Sequence, residues 1–276
     1  MVARRVILIL TLTLLAKLNY CQSFLDTLPF QLDTTLLDLK VDKLNNKWLI
    51  YQNKIIRVSS EKAYNDTLDN LDVQQLNLDL NIPLKNLFYF KNKNLVEIKN
   101  SRWGVISRFK LDALLIHQPS FVKFTADRMI WVLDISENQL YKLNENGVIV
   151  SQKRNPFKVN QQFYFPAEVV LLKNNNIALD SNFGVFVMDD YGNLIQAKKI
   201  DSCRRLYEYK GQIYIARGNS LIQFQNKFNG DIDFSKFKKI EFNSRVQSLQ
   251  TYNENALIFF ENKRIYELKN LDNLFE

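Results

Sequence analysis

Cysteine and histidine are nearly missing from this chain. Two cysteines, Cys21 and Cys203, and one histidine, His117, occur in 276 residues. A single histidine excludes any site built on several imidazoles, and so few thiols exclude the usual tetrahedral zinc sets. Glycine and proline are scarce too, at 7 and 5. No glycine-rich phosphate loop or dinucleotide fingerprint is present. Beyond the first two dozen residues no apolar run approaches the roughly 20 residues that a spanning helix needs. The basic runs are short, Lys236-Phe237-Lys238-Lys239 and Lys198-Lys199, and read as solvated loops; no nucleic-acid partner is expected.

What is present is a core and a turn residue. Apolar residues make up 46% and aromatics 13%, with 20 Phe and 12 Tyr, which excludes wholesale disorder. Asparagine is abundant, at 31 residues. Asn tolerates positive φ better than other non-glycine residues and closes Asx-turns on its own backbone. A chain with many tight turns and little glycine can use it instead.

The first residues read as an export signal. Arg4 and Arg5 precede an eleven-residue apolar stretch, Val6 to Ala16, too short to span a bilayer. Cleavage has two readings: a small-x-small site at Cys21-Gln22-Ser23, before Phe24, or a lipoprotein box at Leu18-Asn19-Tyr20-Cys21 that would lipidate Cys21. An uncleaved anchor is the remaining alternative. Removing residues 1–23 takes away Arg4, Arg5 and Lys17 and lowers the net charge from +8 to +5. Only Cys203 then remains, so no internal disulfide can form. The expected organisation is a signal peptide over residues 1–23 and one domain over residues 24–276.

One pattern recurs six times: an apolar strand, a polar turn rich in Asn or Lys, and a second apolar strand. The first strands end at or next to Tyr51, Phe90, Leu133, Leu179, Ile215 and Phe260, with spacings of 39, 43, 46, 36 and 45 residues. A four-stranded propeller blade takes roughly 40–50 residues. The spacing therefore predicts an all-β fold, a single propeller of about six four-stranded blades. Seven would be tight. Inner strands are expected near Phe121–Phe124, Glu168–Leu172 and Cys203–Tyr209, and outer ones near Gly147–Val150 and Asn193–Ile195. The sixth repeat ends at Leu268, and a strand at Leu28–Leu32 is expected to supply its missing edge and close the ring.

The hairpin repeat, the Leu28–Leu32 strand and the stretches Ile82–Phe90 and His117–Ser120 resemble exported propeller-like proteins of the Bacteroidota cell envelope. One protein of that kind is the subunit that plugs the translocon of type 9 secretion. The resemblance implies a periplasmic or outer-membrane location and a scaffold or interaction role with an envelope protein partner. The triplets Asp26-Thr27-Leu28, Asp33-Thr34-Thr35 and Asp66-Thr67-Leu68 are similar to an O-glycosylation signal of such bacteria.

Candidate chemistry is thin. His117 follows the apolar run Leu114-Leu115-Ile116 and reads as a loop histidine. A Cys203–His117 nucleophile is formally available, with Arg204 and Arg205 to lower the thiol pKa, but a small buried thiol is the commoner reading. Adjacent acids such as Asp189-Asp190 point to opposite faces of a strand and cannot form a glycosidase pair. Asn229 to Asp233 offers alternating oxygens but lacks the closing Glu of a calcium loop. No catalytic, cofactor or metal residue is therefore assigned. The expected function is a non-enzymatic interaction module. The alternatives are a sugar- or lactone-acting enzyme in the central channel, or a ligand or glycan sensor.

Overall fold

The computed structural model describes residues 36–59, 65–69, 71–172, 176–226, 232–252, 255–260 and 265–268. Blade 1 consists of β1 (Leu36–Val41), β2 (Lys47–Tyr51), β3 (Lys54–Val58) and β4 (Asn65–Asp69). Blade 2 is β5 (Leu76–Ile82), β6 (Lys85–Phe90), β7 (Leu95–Asn100) and β8 (Val105–Lys110). Blade 3 is β9 (Pro119–Phe124), β10 (Ile130–Asp134), β11 (Gln139–Leu143) and β12 (Ile149–Arg154). A small hairpin, β13 (Lys158–Val159) with β14 (Gln162–Phe163), interrupts the repeat. Blade 4 is β15 (Glu168–Leu171), β16 (Asn176–Asp180), β17 (Gly184–Met188) and β18 (Leu194–Lys199). Blade 5 is β19 (Arg205–Tyr209), β20 (Gln212–Arg217), β21 (Ser220–Asn226) and β22 (Ile232–Glu241). Blade 6 shows β23 (Val246–Tyr252), β24 (Asn255–Phe260) and β25 (Ile265–Leu268). Each sheet is an antiparallel meander, and the six form a propeller.

All six expected hairpins are the second and third strands of the blades. Where their side chains are described, these strands are largely buried on both faces, so they read as apolar runs rather than alternating ones. The period of two then deals side chains to the two neighbours. Ile130 and Val132 pack with Leu87, Tyr89 and Ile98 of blade 2, whereas Trp131 and Leu133 pack with Val169, Ala178 and Phe186 of blade 4. The expected strand Cys203–Tyr209 begins two residues late. Cys203 sits in the preceding connection, buried.

Five turns share one construction, and it accounts for the scarcity of glycine. In each, residue i exchanges backbone bonds with residues i+3 and i+4, and residue i+3 has positive φ. Asp42, Asn100, Thr125, Asn144 and Asp189 open them; Asn45, Trp103, Arg128, Gly147 and Gly192 take the left-handed place. The opening side chain adds bonds of its own: Asn144 Oδ1 accepts from the amides of Asn146 and Val148, both at 2.9 Å. This is the type I turn with a bulge that joins strands by a short loop.

The strand expected to close the ring, Leu28–Leu32, lies outside the described residues, as do the expected leader and the triplets beginning at Asp26 and Asp33. Within the described residues, blades 6 and 1 meet through their innermost strands. Ser248 Oγ donates to the Leu39 carbonyl at 3.0 Å, the Val41 amide donates to Gln250 Oε1 at 3.3 Å, and Gln247 donates to the Leu37 carbonyl. Phe259 packs behind them with Leu36, Leu39, Leu49 and Tyr51.

Candidate functional site

The six innermost strands surround a central cavity of roughly 1090 Å³. Innermost strands have a free edge, and their backbone groups need partners. Every blade junction supplies one from a side chain. Lys40 Nζ donates to the Leu78 carbonyl at 3.3 Å between blades 1 and 2. Asp79 Oδ2 accepts from the Phe124 amide at 2.9 Å between blades 2 and 3. Ser120 Oγ donates to the Phe165 carbonyl at 2.9 Å, just ahead of blade 4. Glu168 Oε2 accepts from the Leu206 amide at 2.9 Å between blades 4 and 5, and the Tyr207 hydroxyl donates to the Gln247 carbonyl at 2.9 Å between blades 5 and 6. With the blade 6 to blade 1 bonds, the circuit is complete. Of these polar residues the sequence marks Glu168, the one acid at the start of an expected inner strand; Lys40, Asp79 and Ser120 are polar residues within inner strands.

The lining is charged. Glu168 also pairs with Arg205 at 2.6 Å. Glu168 and the Asp38 carboxylate hold the Arg205 guanidinium above its ordinary value, against the pull of burial. Burial, with Glu168 second, pushes the Tyr207 hydroxyl well up. The Lys40 ammonium is lowered, first by burial, then by Lys123, with Arg205 adding to it and Asp38 and Glu168 opposing.

A second feature lies on the outside. Antiparallel meanders put the turns between strands 1 and 2 and between strands 3 and 4 on the same face of the disc. Of the twelve exposed large apolar residues among those described, nine lie on that face or at the adjoining rim. Leu44, Leu84, Val148 and Tyr191 are in the turns; Val105, Ile106, Ile149, Val150 and Ile195 begin the outer strands. The same outer strands end basic: Arg108 and Lys110, Lys153 and Arg154, Lys198 and Lys199. Three consecutive blades thus carry exposed apolar residues where their outer strands begin and basic residues where they end, and Lys153 of blade 3 reaches Asn193 Oδ1 in the blade 4 turn at 2.8 Å.

The candidates from the sequence do not assemble. His117 lies on the connection between blades 2 and 3, half exposed, its Nδ1 3.6 Å from Asp112. Cys203 lies between blades 4 and 5. Burial pushes its thiol up to about 11, Asp201 adds to that, and Arg217 only partly offsets it. The expected lowering by Arg204 and Arg205 is not what governs it, since Arg205 turns to Glu168. Asp189 holds the amides of Tyr191 and Asn193, and Asp190 accepts from Asn176 at 2.9 Å. Asn229 to Asp231 fall outside the described residues, and Asp233 caps the amide of Ser235. Among the described residues no group of three His, Cys, Asp or Glu side chains is placed to hold a metal.

No protein-family model and no curated protein matches the chain. Solved structures do. A streptogramin B lyase is similar with a TM-score of 0.58 at 12% identity, over 88% of this chain and 85% of that one. The virginiamycin B lyase of Staphylococcus aureus gives 0.57 at 12%, over 88% and 87%. A chain of the mitotic checkpoint complex gives 0.52 at 9%, over 86% and 88%. At such identities the likeness shows the fold alone.

Proposed function

We propose that this protein is a non-enzymatic, exported propeller that docks on a protein assembly of the cell envelope through its apolar rim. The observation that carries the reading is the placement of the exposed apolar residues. Scattered singly they would need no explanation, but nine gathered on one face and rim form the kind of patch that marks an interaction site. The basic residues that end the same outer strands favour a partner with acidic groups beside its own apolar surface. The leader-like first 23 residues and the resemblance to Bacteroidota envelope proteins support the periplasm or outer membrane as its place and a type 9 secretion translocon as the assembly. A channel enzyme, the rival reading, asks for carboxylates free to trade protons. Glu168 and Asp79 are instead held by backbone amides of the next blade.

Affinity purification from membranes tests this. The full chain should bring down a stoichiometric outer-membrane partner. A variant carrying Ile106→Asp, Val150→Asp and Ile195→Asp should keep its circular dichroism and lose that partner. Recovery of the protein alone, or equal capture by the variant, contradicts the reading.

A further inference from the structure

The central channel holds more cationic charge than the fold uses. Of its carboxylates, Asp38 accepts from the Leu39 amide at 2.8 Å and acts on both Lys40 and Arg205, and the others are committed. Asp79 is almost fully buried and accepts from the amides of Phe124 and Asn81. Glu168 holds Arg205 and the Leu206 amide, Asp42 holds the amides of Leu44 and Asn46 as well as the Trp48 indole, and Glu208 holds the Gly211 amide. Two lysines stand differently. Lys40 spends one donor on the Leu78 carbonyl at 3.3 Å, a long bond for an ammonium. Lys123 lines the same cavity.

These two lysines occupy the same place in their blades. Lys40 pairs across the strands with Trp48, and Lys123 with Trp131. They also flank one stretch of blade 2. Lys40 reaches the carbonyl of Leu78, and Phe124, next to Lys123, gives its amide to Asp79. The strands that carry them, β1 and β9, thus stand on either side of β5, and both lysines line the channel there. Like charges brought together in a half-enclosed space gain most from an anion placed between them.

We infer that the channel is a binding site for a small anionic molecule, with Lys40 and Lys123 clasping one carboxylate or phosphate group of it. The cavity is of a size that holds a small-molecule ligand, and the neighbouring polar edge, Gln247 and Gln250 included, offers further hydrogen bonds to its remaining oxygens. The site is separate from the docking rim, so either can fail without the other.

Titration calorimetry on the full chain tests the site, with inorganic phosphate as one probe and citrate as the other. At least one is expected to bind once per chain, and the stronger of the two tells phosphate from carboxylate chemistry. Lys123→Gln should weaken it by about tenfold or more, as loss of a charged hydrogen bond does. Lys123→Arg should restore most of the affinity, and Lys198→Gln on the outer wall should leave it unchanged. Far-UV circular dichroism confirms that each variant is folded. Absence of binding by both probes at tens of millimolar, or equal binding by Lys123→Gln, overturns the inference.

Discussion

At the scale of single residues, the turns explain an odd composition. A left-handed L-residue costs roughly 1–2 kcal/mol relative to glycine's freedom there. The chain places Asn, Trp, Arg and Gly at the five equivalent positions. Arg128 is exposed with φ 63°, and its replacement should release strain. Arg128→Gly is expected to raise the urea midpoint, corresponding to roughly 0.5 kcal/mol of unfolding free energy once the extra freedom of glycine in the unfolded chain is subtracted. Gly147 is the reverse case. A Cβ there would lie 2.5 Å from the Phe109 ring of the neighbouring blade, at φ +80°. Gly147→Ala should cost about 2 kcal/mol or more in the same assay.

Glu97 yields a pH prediction at this scale. Burial alone would raise its carboxyl, but bonds and charges from Lys99 at 3.0 Å and Arg108 at 2.5 Å outweigh that and hold it below the usual glutamate range. The folded carboxylate thus gives up its proton more readily than the unfolded one. Its contribution is complete above the ordinary glutamate value and fades as pH falls through the lower, folded value. The melting temperature of the wild type should therefore fall faster in acid than that of Glu97→Gln, and the gap between them should close. A constant gap from neutral pH down to pH ~2 contradicts the assignment.

Elements show which parts of a fold can be read from a sequence. The hairpin of each blade was legible because strands buried on both faces must be apolar throughout. Innermost strands were harder. Their positions carry Lys40, Asp79, Ser120 and Glu168 because their free edges need side-chain partners, and that need appears only when the ring is formed. The β13–β14 hairpin left no signal either: its turn has positive φ at both Asn160 and Gln161, and Gln is not a turn residue by habit. The acid pair at the ends of second strands was equally hidden. Asp134 is fully buried and accepts from the amides of His117 at 3.3 Å and Gln118 at 2.8 Å, and Asp180 accepts from those of Phe165 and Phe183, both at 3.0 Å. Each carboxylate ties the connection entering a blade to a turn of the same blade. Asp134→Ala strands two amides and should cost about 2–4 kcal/mol in chemical denaturation. Little change would mean the connection is held by other means.

At the scale of the whole molecule, each blade is too thin to bury its own faces, so stability comes from six junctions in series. An open ring would expose two of those faces and lose both the channel and the continuous rim. Closure rests on β1 and β23, joined by polar side chains reaching backbone groups and backed by Phe259. Hydrogen exchange followed by mass spectrometry measures this most directly. Amides of Leu36–Val41 and Val246–Thr251 should be protected to the same degree as those of Arg205–Tyr209, the inner strand of blade 5, which takes no part in the closure. Exchange of Leu36–Val41 at the rate of a fraying chain end, with Arg205–Tyr209 still protected, would contradict a closed six-bladed ring.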